Sequence, residues 1–254
     1  MHWLIVLFVA LLHKSRVTEA SKVVCVRPTI PSNIRCDCPT SIENDCYTLN
    51  EWIDSGISPF SGNFTTVTMM LLAGVHLVNS TKDRFLIENV LSVELTGEHE
   101  TTNVLCISQL WIGFLNVENV NISNIVFNSC FRYSEVFVMN SSLFFANVQN
   151  VVVSNLTINK GGLIIWQSRT LNIIALIMLH SLNIYSDGIG LYYFSESESD
   201  ASLDWDRLHI MDSTFHRCSI QIELRSQHVH SILDVQRVSI IGHVHSVNSA
   251  LSQT

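Results

Sequence analysis

The chain has 254 residues, of which 47% are hydrophobic and only 14% charged, with a formal net charge of −8. An acidic balance without a basic run excludes a nucleic-acid surface, because phosphate binding requires clustered Lys and Arg. Charge this sparse, against about 25% in an average soluble chain, leaves the polar surface to Ser, Thr, Asn and Gln, a composition that suits stacked extended structure.

The first element is an apolar stretch from Trp3 to Leu12, followed by a polar segment ending in Thr18-Glu19-Ala20. This arrangement predicts a signal peptide over residues 1–20 and an exported mature chain, with the basic leader region reduced to the amino terminus and His2. Ten apolar residues are too few to span a bilayer, which requires about 20. The later apolar stretch Leu163 to Leu179 is interrupted by Gln167, Ser168, Arg169 and Asn172, so no transmembrane segment is expected in the mature chain.

Residues 21–60 read as a Cys-rich N-terminal cap. Cys25, Cys36, Cys38 and Cys46 crowd together there, and in an exported chain they predict disulfides. A zinc site is disfavoured, because Cys36-Asp-Cys38 lacks the two-residue gap of a zinc knuckle. Cys106 and Cys130, twenty-four residues apart, are candidates for a bridge between stacked turns, whereas Cys130 and Cys218 each close a Phe-X-X-Cys segment that suits a buried apolar position. Seven cysteines leave at least one unpaired within the chain.

Five Asn-X-Ser/Thr sequons begin at Asn63, Asn79, Asn121, Asn140 and Asn155 and predict a glycoprotein.

Residues 61–254 carry a repeat. Val117-Glu-Asn-Val120-Asn-Ile122-Ser-Asn-Ile125-Val-Phe127 matches Val148-Gln-Asn-Val151-Val-Val153-Ser-Asn-Leu156-Thr-Ile158 at every apolar position. Fainter copies are placed at Ile87 (with Val90), Ser168 (leading to Leu171, Ile173, Leu176 and Met178), Trp205 (then Leu208, Ile210 and Phe215) and Val235 (then Val238 and Ile240), a spacing of about thirty residues. Within Val120-X-Ile122 and Ile125-X-Phe127 the apolar residues alternate, as on a strand with one buried face, but the step between the pairs is three. An odd step reverses side-chain parity unless the chain bends, so Ser-Asn must form a corner, with Asn adopting the left-handed conformation it tolerates. Strand, corner, strand, corner describes one turn of a coil, and the prediction is an all-β, right-handed parallel β-helix in which Val120 and Val151 share a layer. Asn124 and Asn155 should form an inward amide ladder, which would withhold Asn155 from glycosylation, while Asn121 points outward. An antiparallel sandwich needs more turn residues than ten Gly and four Pro supply, and the Leu-X-X-Leu-X-Leu core of leucine-rich repeats is missing.

Val26-Arg-Pro28-Thr29, Cys36 to Cys46-Tyr-Thr-Leu49, Phe64-Thr-Thr, Leu71-Leu-Ala-Gly74-Val-His76-Leu77 and Val93-Glu-Leu95-Thr-Gly97 together resemble the N-terminal region of predicted extracellular β-helix proteins numerous in sponges. The resemblance covers roughly residues 23 to 130, with Ala73 where that family often has Pro. It implies a pectin-lyase-like coil outside the cell, and it brings no catalytic residues with it.

Two clusters bear on chemistry. Asp200, Asp204, Asp206, His209 and Asp212 are the candidates for the acid and base of a polysaccharide-cleaving enzyme, but no Asn-Thr-Asp, Asp-Asp or Gly-His-Gly of the pectinase type accompanies them, and an exposed acidic loop continuing from Ser195 to Asp200 is the preferred reading. His228-Val-His230 and His243-Val-His245 would place four imidazoles on stacked turns as metal ligands, or as outward histidines touching nothing. No cofactor is expected. The expected function is a non-enzymatic extracellular recognition or matrix module meeting a glycan or protein through exposed faces and the segment Ser195 to Asp206. A carbohydrate-active enzyme and a truncated receptor ectodomain are the alternatives.

Overall fold

The computed structural model describes residues 21–30, 46–55, 66–82, 84–88, 90–98, 102–136, 139–169, 175–197, 206–225, 231–242 and 249–251. Eighteen strands join into one hydrogen-bonded sheet that winds into a parallel β-solenoid with three faces. The first face stacks Ser21–Arg27, Thr66–Leu71, Ser92–Gly97, residues 119–123, 150–154 and 176–180, then Asp206–Met211 and Ser231–Gln236. The second stacks Gly74–Val78, Thr102–Cys106, residues 126–128, 156–159, 182–185 and 214–216, then Ser239–Ile241. The third stacks Arg84–Glu88, Trp111–Leu115, Leu143–Ala146, Leu163–Arg169, residues 191–197 and 220–225, then Ser249–Leu251.

Val120 is paired in register with Val151, and Ile122 with Val153. All four are buried, each no more than 2% exposed. The parity change between them and the next face occurs at Asn124 (φ 58°) and Asn155 (φ 49°), both left-handed. Ser181, Asp212 and Arg237 repeat that conformation at the same corner of the following turns, with φ between 50° and 54°. A left-handed L-residue costs about 1–2 kcal/mol; Asn124 with Asn155 and Asp212 with Arg237 offset it by bonding between turns, whereas the Ser181 hydroxyl meets His180 Nδ1 beside it at 2.8 Å. The Asn155 amide donates to Asn124 Oδ1 at 3.2 Å, and the guanidinium of Arg237 grips the Asp212 carboxylate. The ladder is real, but it stands on the exposed corner and not inside the coil, because the left-handed turn swings the side chain out. Parallel ladders join Asn150 to Asn119 at 2.8 Å and Asn128 to Asn103 at 2.6 Å, and Asn159 continues the latter onto Asn128. At Gly97, one turn before Asn124, a Cβ would lie 2.0 Å from the Asn124 carbonyl oxygen, so only glycine fits beneath that corner.

Three of the fainter copies shift. Ile87 lies on the third face opposite Phe114, and Val93, not Val90, pairs with Val120. Ser168 belongs to the third-face strand, while Ile177 pairs with Val151, so Leu176 and Met178 face outward and Ile177 and Leu179 are buried. Val235 pairs with Ile210 on the first face. The copy after Trp205 stands as read, with Leu208, Ile210 and Phe215 buried in register with Ile177, Leu179 and Ile184. Trp205, Leu171 and Ile173 lie outside the described residues.

At the N-terminal end a short helix, Leu49–Ser55, packs Leu49, Trp52 and Ile53 onto the coil's apolar core. A capping box starts it: the Thr48 amide donates to Glu51 Oε2 at 2.7 Å and the Glu51 amide to Thr48 Oγ1 at 3.2 Å. The bond from Thr48 holds the Glu51 carboxyl below its ordinary range. Cys25 and Cys46 are disulfide-bonded, and Cys36 and Cys38 lie outside the described residues. Cys106–Cys130, the disulfide with both ends described, lies in the body of the coil and not in the N-terminal region. Closing twenty-four residues, it is worth about 3 kcal/mol by loop entropy. Among the described residues no helix is long and apolar enough to cross a membrane.

A histidine is buried in the second face. His76 is fully buried on the inward side of its strand, its Nε2–H donating to the Leu72 carbonyl at 2.8 Å and its Nδ1 without a partner. Burial pushes its pKa down.

Two outcomes are expected. Ile122→Ala, inside the coil, lowers stability by about 2–5 kcal/mol, whereas Val152→Ala, outward on the adjacent turn, changes it by less than about 0.5 kcal/mol, measured by denaturant unfolding. Because the folded pKa of His76 is depressed, the unfolded chain takes up the proton first, so stability falls as pH drops below about 6.5. The difference in melting temperature between neutral and mildly acidic buffer should shrink in His76→Leu, and an unchanged difference would remove His76 from that account.

Candidate functional site

The third face departs from the rule that one side of each strand is polar. Ile112 and Phe114, Leu143 and Phe145, Leu163 and Ile165, and Leu191 and Tyr193 fill the interior, yet the opposite positions hold Trp111, Phe144, Ile164, Trp166, Tyr192 and Phe194. Strands apolar on both sides are covered on both sides. The outer cover is an antiparallel hairpin of Arg132–Ser134 and Met139–Ser141, inserted before the third-face strand Leu143–Ala146. Met139 reaches from it into a second apolar cluster with Ile164, Tyr192 and Phe194. Trp166 stacks on Phe194 at 4.1 Å and 17°, and the Tyr192 hydroxyl donates to Glu223 at 2.7 Å.

Where the hairpin stands away from the face, a cavity of about 470 Å³ opens. Its floor is Trp111, Phe144 and Ile164, and its wall carries Arg132, Tyr133 and Glu135. Trp111 meets Phe144 edge-on, at 5.2 Å and 83°. The Trp111 ring lies across Gly113, where a Cβ would come within 2.1 Å of it, so that glycine sets the height of the floor. Tyr133 is half exposed at the rim. The volume lies within the usual range for small-ligand sites, about 300–1,000 Å³, and the lining combines flat apolar faces with a few polar groups.

No known protein family, curated protein or solved structure matches the chain.

The acidic cluster read from sequence does not converge on a cleft among the described residues. Asp200 and Asp204 lie outside them, and Asp206 opens the strand Asp206–Met211. His209 faces outward, with Nδ1 3.3 Å from Asp234 Oδ2 one turn on. Asp212 sits at the left-handed corner, bonded twice by Arg237 and 3.1 Å from His180 Nε2. The Arg237 hydrogen bond holds the Asp212 carboxyl below its ordinary range, which keeps it ionised as a tie between turns and ill-suited to donate a proton. His228, His230, His243 and His245 lie outside the described residues, and among those described no group of three or more His, Cys, Asp or Glu is placed to hold a metal ion.

Cys218 is buried and free, and burial pushes its thiol up to about 11, too high for a nucleophile at neutral pH. Cys130, which closes the other Phe-X-X-Cys segment, is buried as that pattern suggests and forms the expected bridge to Cys106 on the neighbouring turn. Among the sequons, Asn79 and Asn121 are exposed, Asn140 is half-buried on the hairpin, and Asn155 is exposed but spends its amide on Asn124. Asn63 lies outside the described residues, as do residues 198–205 of the segment expected to meet a partner.

The aromatic cleft was not among the residues singled out from the sequence. Its signal was present as unbroken apolar runs, Leu143-Phe-Phe-Ala146, Leu163-Ile-Ile-Trp166 and Leu191-Tyr-Tyr-Phe194, which read as double-sided burial once the alternation of the other faces is known.

Proposed function

We propose that the protein is an exported, non-enzymatic recognition module that binds a sugar ring of an extracellular glycan in the third-face cleft. The observation that carries this reading is the pairing of the Trp111 and Phe144 rings over Ile164, beside a hairpin wall bearing Arg132, Tyr133 and Glu135. A pyranose presents an apolar C–H face and a polar rim, and aromatic floors with a few hydrogen-bonding side chains at the edge match both. Export is supported by the apolar leader and by disulfide-bonded Cys25, Cys46, Cys106 and Cys130. Membership of the sponge-type pectin-lyase-like group is part of the proposal and rests on the motifs between Val26 and Gly97.

A carbohydrate-active enzyme is disfavoured by the pairings of Asp212 and His209, each tied to a neighbouring turn.

The test is a glycan array probed with the purified mature chain, followed by titration of any ligand found. Trp111→Ala is expected to weaken binding about tenfold or more, ~1.4 kcal/mol, with the melting temperature retained. Binding unchanged in that variant, or cleavage of a polyuronate abolished by Asp206→Asn, would overturn the proposal.

A further inference from the structure

We infer that Asn140 carries an N-linked glycan whose first sugars rest at the mouth of the third-face cleft, so that the chain's own modification regulates access to the site. The inference rests on the reading above that the chain is exported. Its geometry comes from the hairpin. Asn140 pairs directly with Tyr133 across the two antiparallel strands. Residues so paired project to the same side, with Cβ atoms about 4.5–5.5 Å apart. Tyr133 lines the cleft and is 50% exposed, so a substituent on the neighbouring amide has an aromatic face beside it and solvent beyond it. On the opposite side of the hairpin, Met139 is anchored in the apolar cluster with Ile164, Tyr192 and Phe194, which fixes how the hairpin stands on the face.

The sequons differ in what their side chains already do. Asn155 donates its amide to Asn124, and a glycan there would remove one rung of a corner ladder. Asn140, half-buried and opening the sequon Asn140-Ser-Ser142, makes no such ladder bond among the described residues. The co-reactant is an oligosaccharide carried on a lipid pyrophosphate. Nδ2 of Asn140 bonds to its anomeric carbon, the carbon–oxygen bond to the pyrophosphate breaks, one amide proton passes to base, and the lipid pyrophosphate leaves. The product keeps one N–H and gains a mobile chain many times the size of the Asn side chain. Tethered beside Tyr133, it competes with a free ligand as an intramolecular occupant, at an effective concentration in the millimolar range for a short tether.

The experiment uses the full chain secreted from eukaryotic cells. Glycopeptide mass spectrometry reads occupancy of Asn140, and hydroxyl-radical footprinting reads the exposure of Tyr133 and Trp111. Three samples are compared: the intact glycoprotein, the same protein trimmed of its whole glycans by an amidase that leaves Asp at each occupied site, and the Asn140→Gln variant. The expected result is an occupied Asn140, with Tyr133 and Trp111 labelled several-fold more in the trimmed and variant proteins than in the intact one. An unmodified Asn140, or an occupied Asn140 with Tyr133 labelling the same in all three, overturns the inference. Neither readout needs a cleft ligand, so failure of the recognition reading would show separately, in an array signal indifferent to Trp111→Ala.

Discussion

From Asn124 onward, each corner between the first and second faces puts one residue in the left-handed conformation, and the packing of the coil depends on it. Without that rotation, the odd step from Ile122 to Ile125 would carry the second pair of apolar residues to the outside. Asn124 and Asn155 accept the strain, and each amide bonds to its counterpart one turn away. Ser181, Asp212 and Arg237 accept it at the same corner with different chemistry, a hydroxyl and then an ion pair. What recurs is a polar side chain at that corner, which bonds along the axis at Asn124, Asn155, Asp212 and Arg237 and to its own neighbour at Ser181.

That variation explains how far the sequence could be read. Where two Asn corners follow each other, in 119–128 and 150–159, the register between turns follows from the sequence, and Val120 and Val151 do share a layer. Where the corner residue is Ser, Asp or Arg, apolar spacing alone was left to set the alignment. Spacing tolerates a slip of a few residues, because each face repeats the same alternation. Hence Val93, three residues beyond Val90, is the partner of Val120, Val235 stands in the column of Ile122 and Ile210, and Ile177 and Leu179, not Leu176 and Met178, point inward. The turn beginning at Trp205 kept its alignment because Phe215 marks the second face unambiguously.

The cleft was hidden for a different reason. A strand covered on both sides has no period, so Leu163 to Trp166 and Leu191 to Phe194 read as undirected apolar runs until the hairpin that covers them is seen. That cover ties fold to function. The same outward aromatics that would promote aggregation on a bare face are packed in part against Met139, and beside Trp111, Phe144 and Tyr133 they line an open cavity. Charged residues told less than their clustering implied. His209 and Asp212, neighbours in sequence, turn to different partners because one lies on a strand and the other at the corner that ends it.

The central claim is that adjacent turns stack in parallel with Asn121 beside Val152, as their register requires. Neighbouring parallel strands lie about 4.8 Å apart, within the span a disulfide bridges. The direct measurement is oxidation of an Asn121→Cys, Val152→Cys double variant, followed by mass spectrometry of non-reduced peptides. The account predicts a 121–152 cross-link and none in an Asn121→Cys, Ser154→Cys control, displaced by two residues along the strand. A cross-link in the control, or its absence from the in-register pair, would contradict the coil and everything built on it.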